Sequence, residues 1–385
     1  MKNITGPPVF GEDFFDREEQ IQQFWELIES GHHILISAPR RVGKTSLMLQ
    51  VRENPRSGYS ILHLDTESIN NENEFFRRLL NNILKMELVG RTEKVMSFFR
   101  ENVPGVKKVG TDGIEFGSRE VHNYNEILIR VLHAIGENGQ TLIIMLDEFP
   151  MTLENIIKDE SESAGRHFLG SNRELRQDPL ISKNVRFVYT GSIGLENVVN
   201  RIHSAGSLMD LARLMIPPLS PGHAFELMDK LSKEYDFTLN SIAKEYIIDR
   251  IHWLNPFYIQ SIIWELRSAY TTLHETITPE RIDTAFNSML EQRNHFEHWY
   301  DRLRKSWEGN EHNFAKELLN IASETGMIHA NQINDIAEKY SVTESHRDIV
   351  SSLKYDGYID NTDDPKIYRF NSPVVMEWWR KNVAN

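Results

Sequence analysis

No cysteine occurs among the 385 residues. Disulfides, cysteine-ligated zinc and thiol nucleophiles are thereby excluded, and a reducing compartment, the cytoplasm, is the expected setting. The chain also lacks any stretch approaching ~18 uninterrupted apolar residues, so no membrane-spanning helix is expected. The opening Met1-Lys2-Asn3-Ile4-Thr5-Gly6-Pro7-Pro8 has no apolar segment of the kind a secretory signal needs. Positive charge is scarce: 43 Lys and Arg stand against 56 Asp and Glu, a net charge of −13. That balance disfavours nonspecific nucleic-acid binding, whose affinity comes from neutralising phosphates, while leaving room for a local basic face. The 15 histidines are scattered, His32-His33 being the one adjacent pair, and none shows metal-ligand spacing. No zinc site is expected.

What remains is an ordinary soluble composition, 40% hydrophobic and 26% charged, long enough for two or three domains. No repeat of fixed period and no low-complexity tract interrupts it. Arg17 to Ser30 places Ile21, Phe24, Trp25 and Ile28 at helical spacing, and Gly31 ends that helix. His33 to Ser37 is a short apolar run suited to a buried parallel strand, and a helix resumes from Thr45 to Val51. The alternation continues with a strand at Ser60–Leu64, a helix over Glu72–Leu88 and a glycine-punctuated hairpin within Val103–Phe116. A helix over Asn123–Ile135 then leads to a very apolar strand, Thr141–Leu146, with further strands at Val185–Tyr189 and Leu214–Ile216. Strands alternating with helices predict an α/β fold, a parallel sheet flanked by helices. After Pro217-Pro218 the strand signals stop. Pro221 to Glu291 reads as helical, broken at Asn255-Pro256, and should form a small helical lid. The last segment reads helix (Phe314–Thr325), helix (Ala330–Tyr340), helix (Thr343–Tyr355) and hairpin (Gly357–Phe370). That is the order of a winged helix-turn-helix. The expected domains are 1–218, 219–292 and 293–385.

Ala38-Pro39-Arg40-Arg41-Val42-Gly43-Lys44-Thr45, followed by Ser46, matches the phosphate-loop pattern except that alanine replaces the first glycine. In such a loop the backbone N–H groups and the next helix N-terminus face phosphate oxygens. Gly43 permits the close approach, Lys44 reaches the β- and γ-phosphates, and the Thr45 hydroxyl ligates magnesium. Alanine at position 38 is tolerable where its φ is negative. The strand before the loop and the helix after it are the context that this chemistry requires. An acidic partner follows the apolar strand at Asp147-Glu148: Asp147 would hold the magnesium and Glu148 would polarise the attacking water. At the end of the next strand, Thr190-Gly191-Ser192 could offer a hydroxyl to the γ-phosphate or serve simply as a small polar turn. Arg40, Arg41, Arg173, Arg176 and Arg201 are arginines that could meet phosphate or enter a partner's site, and for each a surface role competes.

Together, Phe14-Phe15-Asp16-Arg17-Glu18, the Pro39–Leu47 loop, Leu146-Asp147-Glu148 and Thr190–Leu195 resemble the archaeal-type ATPase family. That family lies in the STAND and origin-initiator branch of AAA+-like P-loop ATPases. The resemblance extends through Ile216–Ser220, Asn255–Tyr258, Leu353–Ile359 and Tyr368–Pro373, almost the whole chain. It implies ATP with Mg2+ as cofactors; ATP over GTP rests on it, and no guanine-reading N-K-x-D appears. It further implies that the segment around Phe10 to Arg17 cradles the adenine, that Ser192 is a sensor and that Pro256 marks a nucleotide-sensing lid segment. The sequence departs from the family pattern at Ala38 and at Leu254-Asn255-Pro256, where a glycine–x–proline is usual.

An ATP-hydrolysing switch controlling assembly, as a homo-oligomer or with a protein partner, is therefore expected. A DNA-binding initiator-like ATPase and a nucleotide-binding scaffold without turnover are the alternatives. Against DNA stand twelve Asp and Glu but eight Lys and Arg between Glu311 and Asn385. Trp299, Tyr300, Trp307, Trp378 and Trp379 are expected to build core rather than a base-stacking platform.

Overall fold

A computed structural model describes residues 1–86, 106–110, 113–116, 123–136, 140–191, 194–273 and 277–384. The chain divides into two compact bodies. One comprises Arg17–Ser37 and Lys44–Ile216; the other comprises Met1–Asp16, Ala38–Gly43 and Pro217–Asn385.

The first body is built on β1 (His33–Ser37), β2 (Tyr59–Asp65), β5 (Thr141–Asp147), β6 (Val185–Thr190) and β7 (Leu211–Met215). They form one sheet in the order β2-β5-β6-β1-β7, with every neighbouring pair parallel. The expected parallel sheet is present, and burial explains its composition. Leu142 to Leu146 are fully buried and every residue of β1 is buried, so both faces of the central strands must be apolar. Residues α1 (Glu18–Glu29), α2 (Lys44–Glu53), α3 (Glu72–Lys85), α4 (Tyr124–Gly136), α5 (Phe149–Asp159), α6 (Glu162–Gln177), α7 (Ile181–Asn184) and α8 (Leu195–Arg201) supply the helices. The hairpin is β3 (Val106–Gly110) with β4 (Gly113–Phe116), antiparallel. Residues 103–105 and 111–112 of the expected hairpin and 87–88 of the expected helix lie outside the described residues. The strand expected at Leu214–Ile216 begins earlier, at Leu211. As an edge strand it buries Leu214 and exposes Arg213, which breaks the apolar run that would have marked it.

An aromatic cluster fixes the entry of α5. Phe149 stacks on Phe168 at 5.2 Å between ring centroids and meets Tyr189 edge-on at 4.7 Å. Phe75 adds an edge contact to Phe168 at 4.9 Å. Such pairs add to the burial of four rings that are almost wholly out of water. The end of β5, where the acidic pair sits, is thus tied to α3, α5, α6 and β6.

The second body runs through α9 (Pro221–Glu234), α10 (Ser241–Ile251), α11 (Pro256–Leu273), α12 (Pro279–Glu291), α13 (Arg293–Ser306) and α14 (Gly309–Thr325). It continues with β8 (Ile328–His329), α15 (Ala330–Lys339), α16 (His346–Tyr355), β9 (Ile359–Asn361), β10 (Ile367–Phe370) and α17 (Pro373–Asn382). The expected order of helices and hairpin is present. To it the structure adds α13 and the two-residue strand β8, which completes a sheet in the order β8-β10-β9. One contiguous core, from Leu219 to Val383, serves all of these elements. Trp299, Trp307, Trp378 and Trp379 are buried in it, and the Trp379 indole donates to Asn320 Oδ1 at 2.8 Å. The N-terminal segment joins this body: Asn3 N donates to Glu234 at 2.8 Å and its amide to the Gln260 carbonyl at 3.0 Å.

Candidate active site

Asp147 closes β5, and its carboxylate is engaged on both oxygens. The Thr45 hydroxyl donates to Oδ2 at 2.8 Å, and the Glu148 N–H donates to Oδ1 at 3.0 Å. His63, two residues from the end of β2, places Nε2 3.6 Å from the same Oδ2. The carbonyl of Asp147 accepts from both the N–H and the hydroxyl of Thr66, at 3.0 and 2.9 Å. Burial alone would raise the Asp147 pKa, but His63, the Thr45 hydroxyl and the Lys44 charge outweigh it and hold the carboxyl below its ordinary range. An ionised, buried carboxylate beside a threonine hydroxyl is a hard-oxygen donor set, which suits magnesium. Lys44 is buried at the start of α2.

Glu148 follows with a left-handed φ of +54° and forms the N-cap of α5, with Pro150 in the first turn of that helix. A non-glycine residue on such backbone is strained and is held by its surroundings. Gly191, just past β6, is part of those surroundings. A Cβ there would lie 2.4 Å from Pro150 Cδ and 3.6 Å from Glu148 Oε2. Glycine is required because the end of β6 passes directly against the turn that carries Glu148. Thr190 is fully buried and its hydroxyl has no hydrogen-bond partner among the described residues. Ser192, expected as a sensor, lies outside the described residues.

Of the loop itself, Ala38 is buried and its φ is not positive, which meets the condition for replacing the first glycine. The positive φ values fall on Arg41 (+64°) and Gly43 (+100°). Within the second body the loop crest is firmly held. The Asn255 amide donates to the Arg40 carbonyl at 3.2 Å, and the Arg41 guanidinium lies 3.9 Å over the Phe257 ring. Gly357 comes so near Pro39 that a Cβ would meet it at 3.2 Å. Asn255 also caps α11, accepting from Phe257 N at 3.0 Å, so Pro256 opens the helix that stacks on Arg41. Val42 is buried, Ser46 is half-buried in α2, and Phe10 is exposed.

The candidate arginines separate. Arg176 is buried and saturated: Nε donates to Asp210 at 2.6 Å, and Nη2 donates to Asp210 at 3.0 Å and to the Ser207 carbonyl at 2.6 Å. It is an internal brace. Arg201 pairs with Glu154. Arg173 keeps a buried Nε without a partner among the described residues. His33, in the adjacent histidine pair, is also a brace, accepting from Phe187 N at 3.0 Å through Nδ1 and meeting the Arg176 carbonyl at 3.0 Å through Nε2.

Sequence reading missed His63 and the close approach of Gly191. His63 stands in an apolar strand with no motif around it, and Gly191 looked like any turn glycine. Their roles depend on β5 lying between β2 and β6.

Known proteins share this fold. Across 98% of its length the chain superposes on 99% of the Walker-type ATPase PABY2304 of Pyrococcus abyssi, with a TM-score of 0.67 at 18% identity. It also matches the ORC2 protein of Aeropyrum pernix, solved as ADPNP–ADP complexes, over 97% of this chain and 96% of that one (TM-score 0.54, 11% identity). At those identities the likeness is one of fold. No curated protein sequence matches significantly. The model of an ATPase domain predominantly from Archaea matches residues 14–248, more than half of the chain and the whole run that carries Lys44, Thr45, Asp147 and Glu148. The chain therefore belongs to that archaeal-type ATPase family.

Proposed function

We propose that the protein is an ATP-hydrolysing switch in which Lys44, Thr45 and Asp147 hold the magnesium nucleotide and Glu148 is the general base. The observation that carries this reading is the contact of the Thr45 hydroxyl with an ionised, buried Asp147, two groups about a hundred residues apart. The phosphates would be met by the loop N–H groups of Ala38 to Ser46 and by Lys44. Magnesium, when bound, would neutralise charge on the β- and γ-phosphates, with Thr45 and Asp147 as its protein ligands. Glu148 at the N-cap of α5 would accept a proton from the attacking water, and Ser192, beyond β6, would orient the γ-phosphate side. Phe10 and Pro256 would border the base and the lid. Slow or partner-stimulated turnover in the cytoplasm fits a chain whose Arg176 and Arg201 are engaged internally.

Glu148→Gln tests the assignment. Phosphate release should fall about 10²–10⁴-fold while ATP binding persists. Turnover equal to the wild type would remove Glu148 as base, and an absence of turnover in the wild type would leave a nucleotide-binding scaffold. The three helices and sheet after Glu308 support a winged helix, for which a protein or homo-oligomeric partner fits the acidic balance best. Duplex DNA is the second reading, favoured by the exposed Arg347 on α16 and Arg369 on β10. DNA binding that is undetectable even at low salt would eliminate it.

A further inference from the structure

The second body gathers arginine and histidine side chains whose polar atoms are out of water and which the proposed hydrolysis does not use. Helix α13 presents His295, His298 and Arg302 at steps of three and four, one face of a helix. Arg302 is 6% exposed; its Nη2 pairs with Asp356, while its Nε and Nη1 are buried without a hydrogen-bond partner among the described residues. The same holds for both ring nitrogens of His298, for Nδ1 of His295 and for Nη1 of Arg41. These groups sense one another. Burial first, then Arg41, Arg40 and Arg302, push the His298 pKa down to about 2, opposed by the nearby His295 carbonyl. Burial and Arg41 lower that of His295 as well. Burying donors and cations without acceptors is costly, and native proteins keep such groups where something else completes them. One carboxylate, Asp356, is paired with this face.

We propose that the face of α13 bearing His295, His298 and Arg302, with Arg41 of the loop, is a receptor for a phosphate group. A tetrahedral dianion offers several acceptor oxygens at once, and guanidinium forks and imidazole N–H groups are the donors that match it. A carboxylate would leave more of these donors unfilled. Arg41 belongs to the site because its side chain is aligned over Phe257 from a left-handed backbone, at 3.9 Å and φ +64°. The phosphate can be free, or it can belong to the nucleotide; in the latter case the inference rests on the nucleotide reading above.

Calorimetric titration of the full chain with inorganic phosphate and with ADP tests this, using Lys44→Ala, His298→Asn and the charge-balanced double variant Arg302→Met/Asp356→Asn. Wild type and Lys44→Ala should bind inorganic phosphate alike. His298→Asn and the double variant should bind it about ten- to a hundredfold more weakly, the value of a hydrogen bond to a charged group. If the nucleotide supplies the phosphate, saturating ADP abolishes the phosphate signal and His298→Asn weakens ADP by a similar factor. If the phosphate is free, ADP leaves the signal unchanged. Phosphate binding that is lost in Lys44→Ala but kept in the cluster variants would place the ion in the loop and overturn the proposal. So would undetectable phosphate binding together with unchanged ADP affinity in both cluster variants. Loss of ADP binding by the wild type, with phosphate binding intact, would count against the nucleotide reading alone.

Discussion

Gly191→Ala probes the joint between β6 and the turn that carries Glu148. The added methyl would sit 2.4 Å from Pro150 Cδ and 2.7 Å from Cγ, where ordinary contact begins near 3.4 Å. The proline ring cannot rotate away, because its φ is fixed in the first turn of α5. The strand end and the helix must therefore separate by about 1 Å, and overpacking of this kind costs about 1–3 kcal/mol. Glu148, one residue from Phe149 and two from Pro150, moves with the turn. A displacement of about 1 Å at a catalytic group can reduce turnover about 100-fold. Lys44, Thr45 and Asp147 lie outside the clash, so ATP affinity should change far less than turnover. Urea unfolding, ATP titration and phosphate release, measured on one preparation, separate these effects. Gly170→Ala is the control: it lies inside α6 with nothing within 4 Å of the new methyl, and should stabilise by about 0.5–1 kcal/mol. Wild-type turnover and stability in Gly191→Ala would refute the argument that this close approach positions Glu148.

Arg176→Met should cost about 3–5 kcal/mol in chemical denaturation, because it strands Asp210 and the part-buried Ser207 carbonyl; a loss below about 1 kcal/mol would show that the brace is dispensable. His33 is held neutral, its pKa lowered from 6.5 to about 4 by burial first, with the charges of Arg176 and Arg186 adding to it. The unfolded chain therefore binds the extra proton, and the wild type should lose about 3 kcal/mol of stability between pH 6.5 and 4. His33→Gln, which can still accept from Phe187 and donate to the Arg176 carbonyl, should flatten that slope in urea titrations at stepped pH; an unchanged slope would assign it to other groups.

Lys44, Thr45, Asp147 and Glu148 were legible in the sequence because each follows an apolar strand at a fixed short spacing, and local spacing fixes which side chain leaves the strand end. The parallel sheet was legible for a related reason: runs such as Thr141–Leu146 are tolerable only where both faces are covered. Helix α13 was not legible, since His295, His298 and Arg302 interrupt its apolar pattern, and Arg302 is buried only because Asp356, far along the chain, pairs with it. Nor was β8, two residues long, which exists because β10 pairs with it.

What the sequence determined by itself is a phosphate loop and an acidic strand end. These are contiguous motifs whose chemistry depends on the few residues around them. The tertiary structure decided how they are completed. It set β5 between β2 and β6, bringing Gly191 against the Glu148 turn and His63 beside Asp147. It turned Arg176 inward, and in the second body it gathered Arg41 with the histidines and arginine of α13. Those placements depend on strand order and on the burial of charge among residues far apart in the chain, which no local pattern encodes.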